Sequence, residues 1–277
     1  MIRTPNIFKF RTSTVLALLL SSLVGCIGFL SPFLGIENAW FAWVTAPIAL
    51  ALLISEISNQ RIDGKSVALL GVLTALTAAL RSLGAGAVGV EPMWFLLILA
   101  ARVFGPSFGF ILGISSLFLS AFLTGGFGPW LAFQMFAAGW IGMGAGLLPQ
   151  RVAGFLIRKR GELVLLVFYG IFSSFTFGFL MDLQFWPWAL GSNTQLSYLP
   201  NGSLGENFHR FITYHFASSM AWDIPRAFIT SALVLMAAPA VLNTLRRTLR
   251  RASFFAPIEF AQNRDLAIAH AKQQMEV

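Results

Sequence analysis

Residues 163–181 read LVLLVFYGIFSSFTFGFLM and contain no charged side chain. A helix that crosses a bilayer needs about 20 mostly apolar residues, because each residue adds only about 1.5 Å along the helix axis. The run has that length, and its apolar residues do not alternate with polar ones as they do in a transmembrane β-strand. This stretch therefore predicts a membrane-spanning helix and an α-helical integral membrane protein.

The same pattern recurs along the chain, and we predict about eight transmembrane helices. The runs are Val15–Leu34, Trp40–Ile57, Ser66–Leu83, Val88–Phe104, Phe108–Thr124, Trp130–Leu148, Leu163–Met181 and Ala217–Asn243. The fourth run is apolar without interruption only from Met93 to Ala101. We expect it to be a short or partly re-entrant helix whose backbone is satisfied by neighbouring protein.

The composition of the 277-residue chain supports this class. Charged residues make up 11% and hydrophobic residues 57%, whereas a soluble domain has about 25% charged residues. So few charges do not cover a soluble globular surface. The single cysteine, Cys26, excludes a disulfide framework. It ends a run that resembles a lipoprotein signal, but the chain stays apolar to Leu34, so we expect an uncleaved first span.

The basic residues predict the orientation. If the N-terminus is inside and the spans alternate, every Lys and Arg except Arg81, Arg210 and Arg226 belongs to a cytoplasmic segment. This is the positive-inside bias of membrane proteins. We therefore predict a multi-pass protein of the cell membrane with both termini in the cytoplasm. The net charge of +8 reflects topology and attraction to membrane lipid, and we expect no nucleic-acid partner.

The sequence offers little for catalysis, and we predict that the protein is not an enzyme and needs no cofactor. No pair of carboxylates lies close together inside a span. Asn59 stands where a phosphate-binding loop ending in Lys65 would need glycine, so we expect no ATP site. His209 and His215 near Asp223 leave a metal site open, although polar residues on an outer segment are the simpler interpretation.

Polar and aromatic residues gather at the predicted outer ends of the helices. Arg81 closes the third span, and a glycine-rich stretch then leads to Glu91 and Trp94. An arginine that faces lipid is costly, so Arg81 should face protein, water or a ligand. It can instead snorkel to the interface or pair with Glu91. Trp130 and Gln134 share a helix face and suit a ring and a polar group of a ligand, or else an interfacial anchor and an inter-helix hydrogen bond.

A third group follows a segment from Asp182 to about Phe216 that we predict to be a long outer loop, long enough for a lid. Trp222 then precedes Asp223 and Arg226, which are spaced to pair on one helix face, either for a ligand or only for structure. Together the outer residues predict an aromatic small-molecule site. The predicted ligand contacts are Arg81, Glu91, Trp94, Trp130, Gln134, Trp222, Asp223 and Arg226.

Two spans carry small residues at a spacing of four. One set is Gly71, Ala75 and Ala79, and the other is Ala138, Gly142 and Gly146. Such faces let helices approach closely in lipid. Each set predicts either internal packing or a protein partner.

Several motifs in this region resemble the substrate-binding (S) components of energy-coupling factor (ECF) vitamin transporters. They are EPMWFLLILA at 91–100, RVFGP at 102–106, FGF at 108–110, LTGGFGPW at 123–130, FQM at 133–135 and GWIG at 139–142. The resemblance covers about Ser66–Asn243 and consists of a pattern of glycine, proline and aromatic residues.

The resemblance implies a six-helix protein that binds a vitamin or related micronutrient from the outer side and has no ATPase of its own. It implies docking on a transmembrane coupling subunit driven by two ATP-binding subunits. An alanine-rich face of the first family helix makes that contact, and here it matches Gly71, Ala75 and Ala79. The organisation is then an N-terminal two-helix extension (1–65), a six-helix core (66–245) and a basic cytoplasmic tail (246–277).

Three alternatives remain open from the sequence. The first is an integral-membrane enzyme acting on a lipid or isoprenoid substrate, which would need a catalytic group at membrane depth. The second is a self-contained permease, and the third is a structural subunit without a ligand. The aromatic outer segments suit a sizeable heterocycle, such as a cobalamin-like or flavin-like vitamin.

Overall fold

The computed structural model describes residues 12–30, 64–84, 88–152, 155–190 and 194–251. In that part of the chain the protein is helical, apart from one short hairpin before the sixth helix. The helices are α1 (Thr12–Leu30), α2 (Gly64–Leu83), α3 (Met93–Phe104), α4 (Pro106–Thr124), α5 (Leu131–Leu147), α6 (Lys159–Ala189), α7 (Leu204–Ser218) and α8 (Met220–Arg251). Strands β1 (Arg151–Val152) and β2 (Phe155–Leu156) pair antiparallel. The prediction of an α-helical membrane fold is confirmed.

Four of the described helices are long and apolar enough to cross a membrane: α2, α4, α6 and α8. Helices α3 and α5 are apolar but shorter. The first predicted span overlaps α1, and residues 31–34 of that span lie outside the described residues. The predicted span Trp40–Ile57 and the tail beyond Arg251 lie outside the described residues.

The fourth predicted span is a short helix. It begins at Met93 rather than at Val88, directly after Pro92, and its 12 residues cover only about 18 Å. All of its residues except Phe95 are buried. Because neighbouring helices surround it, α3 lies inside the bundle and does not need to reach both membrane surfaces.

The predicted long outer loop is wrong. Helix α6 continues to Ala189, and α7 occupies residues 204–218, so only residues 190–203 separate the two helices. The Trp186 side chain is buried against Tyr198 and Phe211, and its Nε1 donates to the Leu196 carbonyl at 2.7 Å. These contacts hold the end of α6 helical at a Trp-Pro-Trp sequence that, taken alone, is typical of a loop.

The bundle is packed most closely where α4 meets α5. A Cβ atom built on Gly142 would lie 2.1 Å from the Gly109 carbonyl oxygen, and one on Gly113 would lie 2.3 Å from that of Ala138. The two backbones are therefore in contact along antiparallel helices. Helices α3 and α4 are joined by Gly105 alone, whose φ of 98° favours glycine.

Helix α1 packs on the outside of this core. The Trp140 Nε1 on α5 donates to the Ser22 hydroxyl on α1 at 3.0 Å. Phe29 meets the ring of Phe133 edge-on, with centroids 5.0 Å apart. The N-terminal helix is thus attached to the face of α5, while α2 lies elsewhere in the bundle.

The bundle has two chemically different ends. We call the end where α2 stops and α8 starts the site end. We call the opposite end, where α8 stops and α6 starts, the basic end. There Glu162 accepts from Arg102 Nε at 3.0 Å and from Arg246 at 2.5 Å, and Arg102 also donates to the carbonyls of Leu148 and Pro149.

Candidate functional site

Six of the eight predicted ligand contacts lie in two neighbouring hydrogen-bond networks at the site end. Glu91, Trp94, Asp223 and Arg226 form the first network, and Arg81 and Gln134 belong to the second. Trp130 and Trp222 lie at the same end but are exposed, by 42% and 50%. The structure therefore brings these residues together, and their contact with a ligand stays a prediction.

The first network is centred on Arg226. Its Nε donates to Glu91 Oε2 at 2.6 Å, and its Nη1 donates to Asp223 Oδ1 at 2.6 Å. Glu91 also accepts from Trp94 Nε1 at 2.9 Å, and Asp223 accepts from the Ser219 hydroxyl. Asp223 is wholly buried and Arg226 is 4% exposed. The pairing predicted from the spacing of Asp223 and Arg226 is present, and it also includes Glu91.

The network fastens the connection between α2 and α3 onto α8. At one end of this connection, a Cβ on Gly84 would overlap the Val90 carbonyl. Near the other end, a Cβ on Gly89 would lie 2.3 Å from the Trp222 carbonyl oxygen. Gly89 also has a φ of 67°. Both positions therefore require glycine, because the backbone is folded tightly on itself and against α8.

The carboxylate of Glu91 is kept charged by its neighbours. Burial alone would raise the pKa of Glu91, but the charge of Arg226, the hydrogen bonds from Trp94 and Arg226, and the charge of Arg81 together lower that pKa below its ordinary value. Glu91 is thus an ionised acceptor at neutral pH. Glu91 forms its ion pair with Arg226 and not with Arg81, which was the alternative partner. The charge of Arg81 attracts Glu91 over a longer distance.

The second network surrounds Arg81. Its Nη1 donates to the Ser120 hydroxyl at 2.8 Å, and its Nη2 donates to Gln134 Oε1 at 3.1 Å. These partners are neutral and come from α4 and α5. One turn deeper on α2 and α4, the buried hydroxyls of Thr77 and Ser116 have no hydrogen-bond partner in the structure. A polar group that enters here finds both a cation and hydroxyls to bind.

Aromatic rings adjoin the charged groups. The Trp94 ring lies 4.6 Å from that of Phe177, and the guanidinium carbon of Arg226 is 4.9 Å from the same Phe177 centroid. The aromatic face attracts the cation, which offsets part of the cost of burying Arg226. Trp130 and Trp222, unlike the buried Trp94, are exposed.

Sequence reasoning missed several residues of this site. Ser120 is the partner of Arg81, the Ser174 carbonyl accepts from Arg226, and Phe177 adjoins both Trp94 and Arg226. A Cβ on Gly178 would lie 2.0 Å from Asp223 Oδ1, so this glycine leaves room for the carboxylate. Only Ser120, a polar residue near the end of an apolar run, carried a signal in the sequence.

His215 has a structural partner instead of a metal. Its Nδ1 lies 2.8 Å from Asp182 Oδ2, and the Ser218 hydroxyl donates to the same oxygen. This pair ties α7 to α6. His209 is exposed. Among residues 12–30, 64–84, 88–152, 155–190 and 194–251, no group of three or more His, Cys, Asp and Glu is arranged to hold a metal ion.

A groove of about 370 Å³ opens on the flank of α6 near α7. Its lining is mainly aromatic: Phe172, Phe175, Thr176, Phe179, His215, Phe216 and Met220. None of the eight predicted ligand contacts lines this groove. At the site end, Glu91, Asp223 and Arg226 instead bind one another.

The two small-residue faces differ in what covers them. Gly71, Ala75 and Ala79 on α2 are all exposed, and a Cβ on Gly71 meets nothing within 4 Å. On α5, Ala138 is buried and Gly142 is pressed against α4. The α5 face is therefore used for internal packing. The α2 face is open, as a docking surface or a lipid contact would be.

A family model for the ECF-type riboflavin transporter S component matches residues 61–192. The match begins just before α2, includes both glycine-rich outer segments and ends just after α6. It confirms the resemblance seen in the motifs between Glu91 and Gly142. No curated protein and no solved structure matches the chain.

Proposed function

We propose that this chain is an S component of the energy-coupling factor type, as its match over residues 61–192 supports, and that it captures a flavin-like vitamin at its site end. The family match is the observation that carries the proposal, because the matched family is named for riboflavin transport. This family is one of transporter components and not of enzymes. The protein is then the substrate-binding membrane subunit of an ATP-driven importer.

The charge balance of the two networks favours a neutral heterocycle. Arg81 and Arg226 contribute two positive charges, and Glu91 and Asp223 contribute two negative ones. A ligand with a net charge would leave this balance unmatched in a poorly solvated site. A neutral ring system with several carbonyl and amide-like groups can bind Arg81, Gln134 and the unsatisfied hydroxyls, and it can stack on Trp130 and Trp222.

The α2–α3 connection controls access to the site in this proposal. The ion pair between Glu91 and Arg226 holds it against α8, over the region that a ligand would enter. Ligand entry then requires part of this network to open and to re-form around the vitamin. The two charged networks act as a closure as well as a binding surface.

Transport requires partners, because the described residues supply no energy source. We propose that the exposed face with Gly71, Ala75 and Ala79 docks on a transmembrane coupling subunit bound to two ATP-binding subunits. Helix α1 packs on α5 and leaves these three residues exposed. In this arrangement the protein lies in the cell membrane, its basic end faces the cytoplasm, and both termini lie on the cytoplasmic side.

Titration of the purified full-length protein with riboflavin tests the binding function. Riboflavin is fluorescent, so its emission reports the bound fraction. We expect saturable binding, and we expect Arg81→Gln to weaken it about tenfold or more, since a hydrogen bond to a charged group contributes roughly 1.5–3 kcal/mol. The matched control Arg210→Gln removes a cation outside both networks at the same end and should leave the affinity unchanged.

A second variant tests the location of the pocket. Replacement of both Trp130 and Gln134 by Ala should also weaken riboflavin binding. Unchanged affinity in this double variant would show that the assigned pocket is wrong. If the wild-type protein binds no riboflavin, mass spectrometry of co-purified small molecules identifies the ligand, and the flavin assignment is rejected.

A further inference from the structure

The described residues of the basic end include a dense group of exposed cations. The exposed members from the hairpin to the start of α6 and at the end of α8, which we call the basic patch, are Arg151, Arg158, Lys159, Arg160, Arg247 and Arg250. Within the described part of the chain, the carboxylate at this end is Glu162, and Arg102 and Arg246 already bind it. The basic patch therefore carries an unbalanced positive charge.

The buried network holds this patch in one arrangement. Arg246 ties the end of α8 to the start of α6 through Glu162. Arg102 joins the same carboxylate and binds the Leu148 and Pro149 carbonyls that lead into the hairpin. Three segments that carry the cations are thus fixed to one another. Like charges repel, so a preorganised patch of this kind favours an anionic partner.

An apolar strip begins at the patch and runs along α6. Arg160, Val164, Phe168 and Phe172 follow one another at intervals of four residues, so they lie along one helix face. Val164 is 53% exposed, Phe168 is 67% exposed and Phe172 is 64% exposed. A cation at the membrane surface followed by an exposed apolar strip matches the two parts of a phospholipid, the headgroup and the acyl chain.

We propose that the basic end binds an anionic phospholipid, with its phosphate on Arg158, Lys159 and Arg160 and an acyl chain along Val164, Phe168 and Phe172. This site is separate from the vitamin site, which lies at the opposite end of the bundle. The bound lipid offsets part of the positive charge of the patch at the start of α6. Its binding does not depend on which vitamin the protein carries.

Native mass spectrometry of the full-length protein tests this site. The protein is titrated with dioleoyl phosphatidylglycerol and, separately, with dioleoyl phosphatidylcholine. We expect preferential retention of phosphatidylglycerol. Each cation near the surface contributes roughly a fivefold gain in affinity. Arg160→Gln should therefore reduce phosphatidylglycerol binding about fivefold, and the triple variant R158Q/K159Q/R160Q should reduce it further.

The controls test separately the positive charge, its position on the protein and the contact with the acyl chain. Lys65→Gln removes a cation from the start of α2, outside the patch, and should leave the preference intact. Arg160→Lys should retain most of the binding, and Phe168→Ser should weaken binding of both lipids. A thermal denaturation midpoint equal to that of the wild-type protein shows that each variant is folded.

Any one of three results would overturn the proposal. The first is equal retention of the two lipids by the wild-type protein, and the second is an undiminished preference in the Arg160→Gln variant. The third is displacement of the lipid by equimolar inorganic phosphate, which would identify a free-phosphate site in place of a lipid site.

Discussion

A substitution at Asp223 or Arg226 should lower the stability of the protein strongly, because both side chains are buried and charged. Arg226 is shared between two carboxylates, so each carboxylate balances part of a charge that water does not reach. A buried ion pair adds little net stability when compared with an apolar pair, but the loss of one partner leaves the other uncompensated. The energetics of the site end therefore depend on individual residues.

Asp223→Asn should destabilise the protein by about 3–5 kcal/mol. The neutral amide leaves Arg226 with Glu91 as its single carboxylate partner, and Asp223 is wholly buried. Thermal denaturation of the purified protein measures the change. The matched control is Glu206→Gln, which breaks an exposed pair with Arg210 and should cost about 1 kcal/mol or less. Equal effects in the two variants would contradict a buried role for Asp223.

The stabilisation by the ion pair between Glu91 and Arg226 should depend on pH only under acidic conditions. The folded state lowers the pKa of Glu91 below its ordinary value of 4.5, so the stabilisation is complete above that value and is lost as the pH falls through the folded pKa. We expect the stability difference between wild type and Glu91→Gln to be constant from neutral pH to about pH 5.5 and to shrink in more acidic buffer. A difference that vanishes near neutrality would show a raised pKa instead.

At the scale of helices, too, the effect of a residue depends on what surrounds it. Helices α2 and α5 carry similar rows of small residues, but the row on α5 is pressed against α4 while that on α2 is open. A glycine in the first setting permits backbone contact. A glycine in the second only lowers helix propensity.

The same substitution on the two faces should therefore have opposite effects on stability. Gly142→Ala places a methyl group 2.1 Å from the Gly109 carbonyl oxygen and should cost about 1–3 kcal/mol, since a packed interior must shift to admit it. Gly71→Ala meets open space and should be neutral or stabilising by up to about 1 kcal/mol. Thermal stability of the two purified variants checks this. Comparable losses would mean that both faces are packed internally.

For the whole molecule, the exposed α2 face and the site end are expected to serve different steps. In the proposed mechanism, docking involves Gly71, Ala75 and Ala79, whereas capture involves the residues around Arg81 and Arg226. A change on the docking face should thus separate transport from binding. This separation also distinguishes an ECF-type subunit from a self-contained permease.

Ala75→Leu should reduce vitamin uptake at least tenfold in cells that contain the coupling and ATP-binding subunits, because a bulky side chain prevents close helix approach. Its riboflavin affinity as purified protein should match that of wild type. The control Ala240→Leu makes the same change on an exposed face of α8 and should leave uptake normal. Uptake by the protein alone, in vesicles without partner subunits, would contradict the proposed mechanism and favour a permease.

The sequence by itself determined the class of the protein, because the apolar runs reach bilayer length and continuous apolarity needs no tertiary information. It also identified most charged residues of the site end, since an ionised group beside a membrane span requires a partner. The helix-face spacing of Asp223 and Arg226 correctly predicted their pairing. The motifs between Glu91 and Gly142 were sufficient to indicate the family.

Only the tertiary structure decided which partner each residue has. Nothing local shows that Glu91 binds Arg226, 135 residues away, that Ser120 binds Arg81, or that Gly178 makes room for Asp223. The helical end of α6 was also missed, because Trp186 is held by residues that follow it in the chain. Hydrophobic periodicity reports what a helix buries, but the choice among buried partners depends on how separate helices pack against one another.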